Sequence, residues 1–175
     1  MMRNLGLLTL RATVGGLLIG HGMQKLFGAF EGHGVQGTGQ FMEQLGLQPG
    51  ERWALTAGIG ELSGGALTAL GLMWPVGPIT SMAPMLVAWG RVHWGKPIWV
   101  TSGGGELPLT NIAIATALVL SGPGRFSLDR MLGLRLHPAT AALVSAAVAG
   151  GTLMALTQPR PEPTPEAEHV EGSHA

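Results

Sequence analysis

Apolar residues gather in five long windows that short polar connections separate. The windows cover about residues 5–26, 53–74, 79–94, 107–121 and 139–156. Apolar runs close to 18 residues with few charges are long enough to cross the hydrocarbon core of a bilayer as helices. We therefore expect an all-α fold, a polytopic transmembrane bundle over residues 1–157, with four core helices and a fifth helix rich in Ala and Gly.

The connections between the windows predict how the bundle sits in the cell membrane. The loop after the fourth window carries Arg125, Arg130 and Arg135, and such basic loops stay in the cytoplasm. With alternating spans, the N-terminus is then also cytoplasmic. Residues 41–46 fit a short amphipathic helix at the interface. Residues 158–175 are acidic and Pro-rich, so we expect a disordered tail.

Composition supports a lipid environment and excludes several kinds of site. Only 11% of the residues are charged, against about 25% in soluble domains. The formal net charge is zero and cysteine is absent. Nothing therefore indicates a nucleic-acid partner, and the chain can form no disulfide or thiolate metal site. Among the 29 glycines, the pairs Gly16–Gly20 and Gly60–Gly64 have the spacing that lets helices pack closely in lipid.

Most of the polar residues inside the windows fall at one depth. If the helices alternate in direction, these residues lie in the outer half of the membrane. Each of them can be interpreted either as part of a functional site or as an ordinary structural residue. Lys25 would snorkel to the interface, His93 would be an interfacial histidine, and Glu106 would be a loop acid. The set is His21, Gln24, Lys25, Glu61, His93, Glu106 and Asn111. No metal site is predicted among them.

Arg11 and Glu61 are the hardest of the charged residues to explain as ordinary. A charge this deep in lipid is costly unless it is paired or faces a wet cavity. A structural ion pair between Arg11 and Glu61 would satisfy both. Arg11 also argues that the first window is a retained span, because it interrupts the apolar region and no small-residue cleavage site follows.

Several segments, in this order, resemble the DoxX family of small integral membrane proteins. They are GHGMQKLFG (20–28), GELSGGALTALG (60–71), RVHWGKPIWVTSGGGE (91–106) and GPGRFSLDR (122–130). The resemblance implies a four-helix membrane bundle linked to redox chemistry. Relatives include a subunit of an archaeal thiosulfate:quinone oxidoreductase and a member of a mycobacterial membrane complex associated with oxidative stress. Family motif positions fall on His21, Gln24, Lys25, Glu61, His93, Glu106, Arg125 and Asp129.

Three functional interpretations follow. In the first, the chain is a subunit of a membrane redox complex, and a pocket in the outer half binds a quinone. His21, Glu61 and His93 would be catalytic, Gln24, Lys25, Glu106 and Asn111 would bind the ligand, and a soluble or membrane partner protein would supply electrons. Axial haem ligation by two histidines is the weaker alternative.

In the second interpretation the chain is a non-catalytic scaffold that binds partner enzymes through the loop containing Arg125 and Asp129, two residues expected to form a local salt bridge. In the third it is a small-solute transporter that uses the same intramembrane charges for proton coupling. The sequence leaves the substrate and the oligomeric state open.

Overall fold

The computed structural model describes residues 1–160, and this part of the chain folds into seven α-helices without a β-strand. The prediction of an all-α fold is confirmed. A π-helical turn, Trp89–His93, extends α4, and a 3₁₀ turn, Val100–Ser102, precedes α5. The helices are α1 Met2–Phe27, α2 Gly34–Gln44, α3 Gly50–Leu70, α4 Val76–Ala88, α5 Glu106–Ser121, α6 Leu128–Leu132 and α7 Pro138–Thr157.

Local sequence explains where the helices begin and end. Helices α1 and α3 stop at Gly28 (φ 69°) and Gly71 (φ 61°), whose left-handed conformation ends a helix. For this reason α3 ends at Leu70, before the predicted boundary at residue 74. Helix α2 begins at Gly34, well before the short helix expected over residues 41–46.

The five long helices, α1, α3, α4, α5 and α7, alternate in direction between two ends of the bundle. We call one end the α6 end, because Asn4, the turn after α3 and the loop carrying α6 meet there through hydrogen bonds. The opposite end, the α2 end, contains α2, the π-helical turn and the last residues of α7.

Helices α1 and α3 approach closely at glycines. A Cβ atom on Gly15 would lie 2.6 Å from the carbonyl oxygen of Gly65, and one on Gly22 would lie 2.6 Å from the backbone nitrogen of Leu62. Of the four glycines in the predicted pairs, Gly16, Gly20 and Gly60 have no such neighbour within 4 Å. Gly64 does pack closely, but against α4, where its Cβ atom would lie 3.1 Å from the backbone nitrogen of Ser81.

Helix α7 is attached to the rest of the bundle by Arg91 of the π-helical turn. The Arg91 guanidinium donates to the carbonyl oxygens of Ala155 and Gln158 at the end of α7, and more weakly to that of Leu45. Arg160 donates to the carbonyl oxygen of Gly90 at 3.0 Å. The first residues of the predicted disordered tail, 158–160, thus make defined contacts, and residues 161–175 lie outside the described residues.

The glycine contacts generate a matched test. Gly15→Ala should lower the free energy of unfolding by roughly 1–3 kcal/mol, because the new methyl group pushes α1 away from α3. Gly16→Ala adds the same methyl group where there is room for it. It should leave stability unchanged or raise it by about 0.5–1 kcal/mol through helix propensity. Reversible unfolding in mixed micelles, followed by circular dichroism, measures both. Equal effects of the two substitutions would contradict the packing described.

Candidate functional site

A cavity of about 640 Å³ opens between the helices in the half of the bundle nearer the α2 end. Helices α1 to α5 and α7 all contribute to its walls, which are mostly apolar. Cavities of roughly 300–1,000 Å³ with apolar walls and a few polar groups are typical of small-molecule sites. The size and lining of this cavity therefore suit a small, largely apolar molecule.

Five of the seven polar residues predicted to share one depth line this cavity, and two do not. His21 and Lys25 come from α1, Glu61 from α3, His93 from the π-helical turn and Asn111 from α5. Gln24 and Glu106 lie outside the lining. Glu106 occupies the first turn of α5, where a carboxylate is favourable because it faces the positive end of the helix dipole.

Lys25 and Glu61 form an ion pair on one wall of the cavity. The Lys25 ammonium donates to a Glu61 carboxylate oxygen at 2.6 Å. The Glu61 side chain is only 3% exposed and that of Lys25 is 25% exposed. Within residues 1–160 this is the single salt bridge. The predicted Arg11–Glu61 pair is therefore wrong, since the carboxylate has a different partner.

Arg11 lies at the α6 end, too far from Glu61 to reach it. Its guanidinium is next to Gly71, and ten residues of helix, about 15 Å, separate Gly71 from Glu61. Arg11 is buried and donates to the carbonyl oxygen of Phe126 at 2.9 Å. The end of α3, where backbone carbonyl oxygens point outward, is also a favourable place for a cation.

His21 lies where the cavity meets the protein surface. Its Nδ1 is 3.0 Å from the side-chain oxygen of Gln24, whose amide nitrogen in turn lies 3.4 Å from the carbonyl oxygen of Phe30. Gln24 thus positions His21 without lining the cavity. The ring's other nitrogen has no hydrogen bond to the described residues, which makes it available to a ligand.

His93 and Arg91 contact different parts of the structure, because residues two positions apart on a helix point in nearly opposite directions. His93 lines the cavity, and its Nδ1 is 2.8 Å from the carbonyl oxygen of Gly103. Arg91 binds the carbonyl oxygens at the end of α7. Asn111 lines the cavity beside Met85, and its amide donates weakly to the sulfur at 3.6 Å. Asn111 therefore retains most of its hydrogen-bonding capacity.

Arg125 and Asp129 do not form the predicted salt bridge. The Asp129 carboxylate accepts from the backbone N–H groups of Met73 and Trp74 at 2.9 and 2.8 Å, and the residue is 7% exposed. Arg125 is exposed, and its backbone N–H donates to the side chain of Asn4. A carboxylate binds two adjacent N–H groups strongly, so this motif fastens the α6 end of the bundle.

Sequence reasoning missed the hydroxyl groups in the cavity and two of its walls. Thr56, Thr80 and Thr152 all line it. Helix α2 contributes Phe41 and Met42, and α7 contributes five residues from Val144 to Thr152. Depth in the membrane could have identified Thr152 as a lining residue, because it lies near the α2 end of the fifth apolar window. No group of three or more His, Asp or Glu side chains within residues 1–160 is arranged to hold a metal ion.

The ion pair generates an asymmetric prediction. Lys25→Met leaves the Glu61 carboxylate buried without a cation, so the variant should lose about 3–5 kcal/mol of stability. Glu61→Leu leaves Lys25, which is partly exposed and can turn toward water, so its loss should be smaller. The double variant should recover part of the loss. Denaturant unfolding in micelles of all four proteins gives the coupling free energy, and additive losses would contradict the pairing.

Comparison with known proteins gives one family. The DoxX family model matches residues 6–94, just over half of the chain, from α1 through the π-helical turn. No curated protein and no solved structure gives a significant match. The matched region contains four of the polar residues that line the cavity, His21, Lys25, Glu61 and His93. It does not include α5, α6 or α7. The chain therefore belongs to the DoxX family of small membrane proteins.

Proposed function

We propose that the chain crosses the cell membrane five times, with its N-terminus and the α6 end in the cytoplasm. The alternating directions of the five long helices support this. Helices α1 and α7 are each long and apolar enough to cross a bilayer, and α5 is a shorter apolar helix. Large apolar side chains are exposed along these helices, among them Leu17, Leu120 and Leu143. Exposed apolar surface of this extent is typical of contact with lipid or a partner.

In this membrane bundle, the cavity binds a quinone, and the chain acts as a subunit of a membrane redox complex. The observation that carries this proposal is the combination of an apolar cavity of about 640 Å³ with an ion pair and two histidines in its lining. That combination suits a quinone, since its ring is apolar and its oxygens accept hydrogen bonds. When bound, the quinone supplies the electron-accepting chemistry.

The chain's own residues bind and orient the ligand and exchange protons with it. The Lys25 ammonium is a donor held in place by Glu61, at 2.6 Å. His21 and His93 each have one ring nitrogen directed to the protein. The other nitrogen of each ring transfers protons, a role for which histidine is suited near neutral pH. Glu61, buried on the wall, is the proton acceptor that takes up protons and passes them to the histidines as the quinone is reduced with electrons from the partner chain. Electrons come from a partner chain.

A scaffold that binds soluble enzymes is the second candidate function. The loop around α6 favours it, because Met131 and Leu132 are 74% and 63% exposed and Leu134 is also exposed. The same loop carries Arg125 and Arg130 on its surface. Apolar side chains beside positive charges are typical of a docking surface for a partner protein.

The absence of cysteine makes the topology directly testable. In spheroplasts, Gln36→Cys at the α2 end should react with a membrane-impermeant maleimide. Met131→Cys at the α6 end should react only after the membrane is permeabilised. The unsubstituted chain, which has no cysteine, is the background control. Labelling of both sites from the same side would contradict the alternating spans, and the reverse pattern would invert the proposed orientation.

Quinone binding is tested with the purified full chain in mild detergent. Decyl-1,4-benzoquinone should quench the fluorescence of Trp53, which lines the cavity, and Trp53→Phe identifies that component of the signal. Glu61→Gln should weaken quinone binding at least tenfold. The neutral amide cannot form the ion pair that holds the Lys25 ammonium in position to donate to the quinone.

The matched control for this experiment is Glu51→Gln, on the exposed surface of the same helix, which should bind like the unsubstituted chain. Mass spectrometry of the purified protein should also detect a co-purified quinone. The proposed site would be refuted if the unsubstituted chain showed no saturable quenching. It would also be refuted if Glu61→Gln and the Glu51→Gln control bound the quinone equally well.

A further inference from the structure

The α6 end of the bundle exposes positive charge without a balancing negative charge. Among residues 1–160, the one carboxylate at this end is Asp129, which is buried and bound to two backbone N–H groups. The ion pair of Lys25 and Glu61 is the single salt bridge in this part of the chain, so the basic residues at the α6 end have no carboxylate partner there. The exposed ones are Arg3, Arg125, Arg130 and Arg135. This surface is therefore complementary to an anion.

The loop after α5 packs along one stripe of α1. Arg3, Leu7 and Arg11 follow one another at a spacing of four residues, so they share a face of the helix. A Cβ atom on Gly124 would lie 3.3 Å from a methyl carbon of Leu7, and Arg11 donates to the carbonyl oxygen of Phe126. Residues 124–126 therefore lie along this stripe, and Arg3 is one turn nearer the end of the bundle.

Arg3 and Arg125 are brought next to each other by this packing. The backbone N–H of Arg125 donates at 3.1 Å to the side-chain oxygen of Asn4, which follows Arg3 in the chain. Because the contact uses the main chain of Arg125, its side chain stays exposed. Helical side chains lean toward the N-terminus of their helix, so Arg3 extends toward the rim of the bundle. Both guanidinium groups can thus reach one phosphate, an anion that arginine binds through paired hydrogen bonds.

Exposed apolar side chains lie beside these two arginines. Leu5, in the first turns of α1, is 39% exposed, and Phe126, which follows Arg125, is 45% exposed. Leu120 is 82% exposed in the last turn of α5, a helix that contacts α1. A soluble anion would leave these apolar groups in contact with water. A molecule with an anionic headgroup and acyl chains satisfies both kinds of surface, and basic sites between spanning helices on the cytoplasmic side bind such headgroups.

We propose that Arg3 and Arg125 bind the phosphate headgroup of an acidic phospholipid at the α6 end, and that its acyl chains lie against Leu5 and Leu120. An acidic segment of a partner protein is the competing occupant. The lipid is favoured because Leu5 and Leu120 are on the flanks of helices that span the membrane in the proposed topology. The inference rests on that topology, since the site must lie at a bilayer surface, but it does not depend on quinone binding in the cavity.

The test is native mass spectrometry of the full chain in mild detergent, titrated with palmitoyl-oleoyl-phosphatidylglycerol or with the phosphatidylcholine that has the same acyl chains. The unsubstituted chain should prefer phosphatidylglycerol. Arg3→Gln and Arg125→Gln should each lower the affinity for it about fivefold, as expected for one basic residue at an anionic headgroup. Arg135→Gln is the matched control. It removes the same charge from the segment leading to α7, which packs against α4, and should retain affinity within about twofold.

Several outcomes would overturn the inference. Equal losses in Arg3→Gln and Arg135→Gln would show diffuse attraction to the whole surface, and equal affinity for the two lipids would show that the headgroup charge is not recognised. Glycerol 3-phosphate bound as tightly as phosphatidylglycerol would identify a site for a soluble phosphate. Displacement of the lipid by an equal concentration of a hexaglutamate peptide would identify a site for an acidic protein segment.

A conservative variant and the earlier experiments complete the test. Thermal unfolding of each variant identifies an affinity loss that reflects misfolding, and Arg3→Lys then decides. It keeps the positive charge and should retain affinity within about threefold, so a loss equal to that of Arg3→Gln would overturn the inference. Failure of lipid binding leaves the topology and the quinone site standing. Failure of quinone binding leaves the lipid site standing, whereas cysteine labelling that contradicts the alternating spans overturns the topology and the lipid site together.

Discussion

The buried carboxylate of Glu61 is the constraint around which this bundle is organised. A carboxylate that is 3% exposed, in a chain with 11% charged residues, requires a cation within hydrogen-bonding distance. Lys25 provides it at 2.6 Å. The pair can form because α1 and α3 approach to the distance that Gly15 and Gly22 allow. The glycines in the apolar windows thus have an electrostatic consequence, since they bring two opposite charges together inside the bundle.

The two ends of the bundle use their charged groups in different ways. At the α6 end, Arg11 and Asp129 are both buried, and both bind backbone groups of distant segments. At the α2 end, Lys25 and Glu61 bind each other on a cavity wall, and two histidines lie nearby in the same lining. Charges at the first end hold the fold together, and those at the second line the cavity.

The apolar windows were sufficient to predict an all-α fold, because helix formation in an apolar segment depends on local sequence. Counting residues from the helix ends also placed His21, Lys25, Glu61, His93 and Asn111 at a common depth, and all five line the cavity. The partners of the charged residues could not be predicted in this way. Arg11 and Asp129 bind carbonyl oxygens and N–H groups of the main chain, which every residue carries and no sequence pattern marks. The sequence also leaves the rotation of each helix undetermined. For this reason only Gly64 of the four predicted glycines packs closely against another helix, and the lining residue Thr152 was not predicted.

The hydrogen bond from Arg11 to Phe126 joins residues 115 positions apart, and it has a consequence for how the chain is made. Synthesis proceeds from the N-terminus, so Arg11 has left the ribosome and entered its helix long before its acceptor exists. Until residues 126–129 emerge, this guanidinium must be solvated by water or by lipid headgroups. The docking of that segment therefore closes the α6 end, at the cytoplasmic side of the proposed topology, after α1 to α5 have been made and before α7.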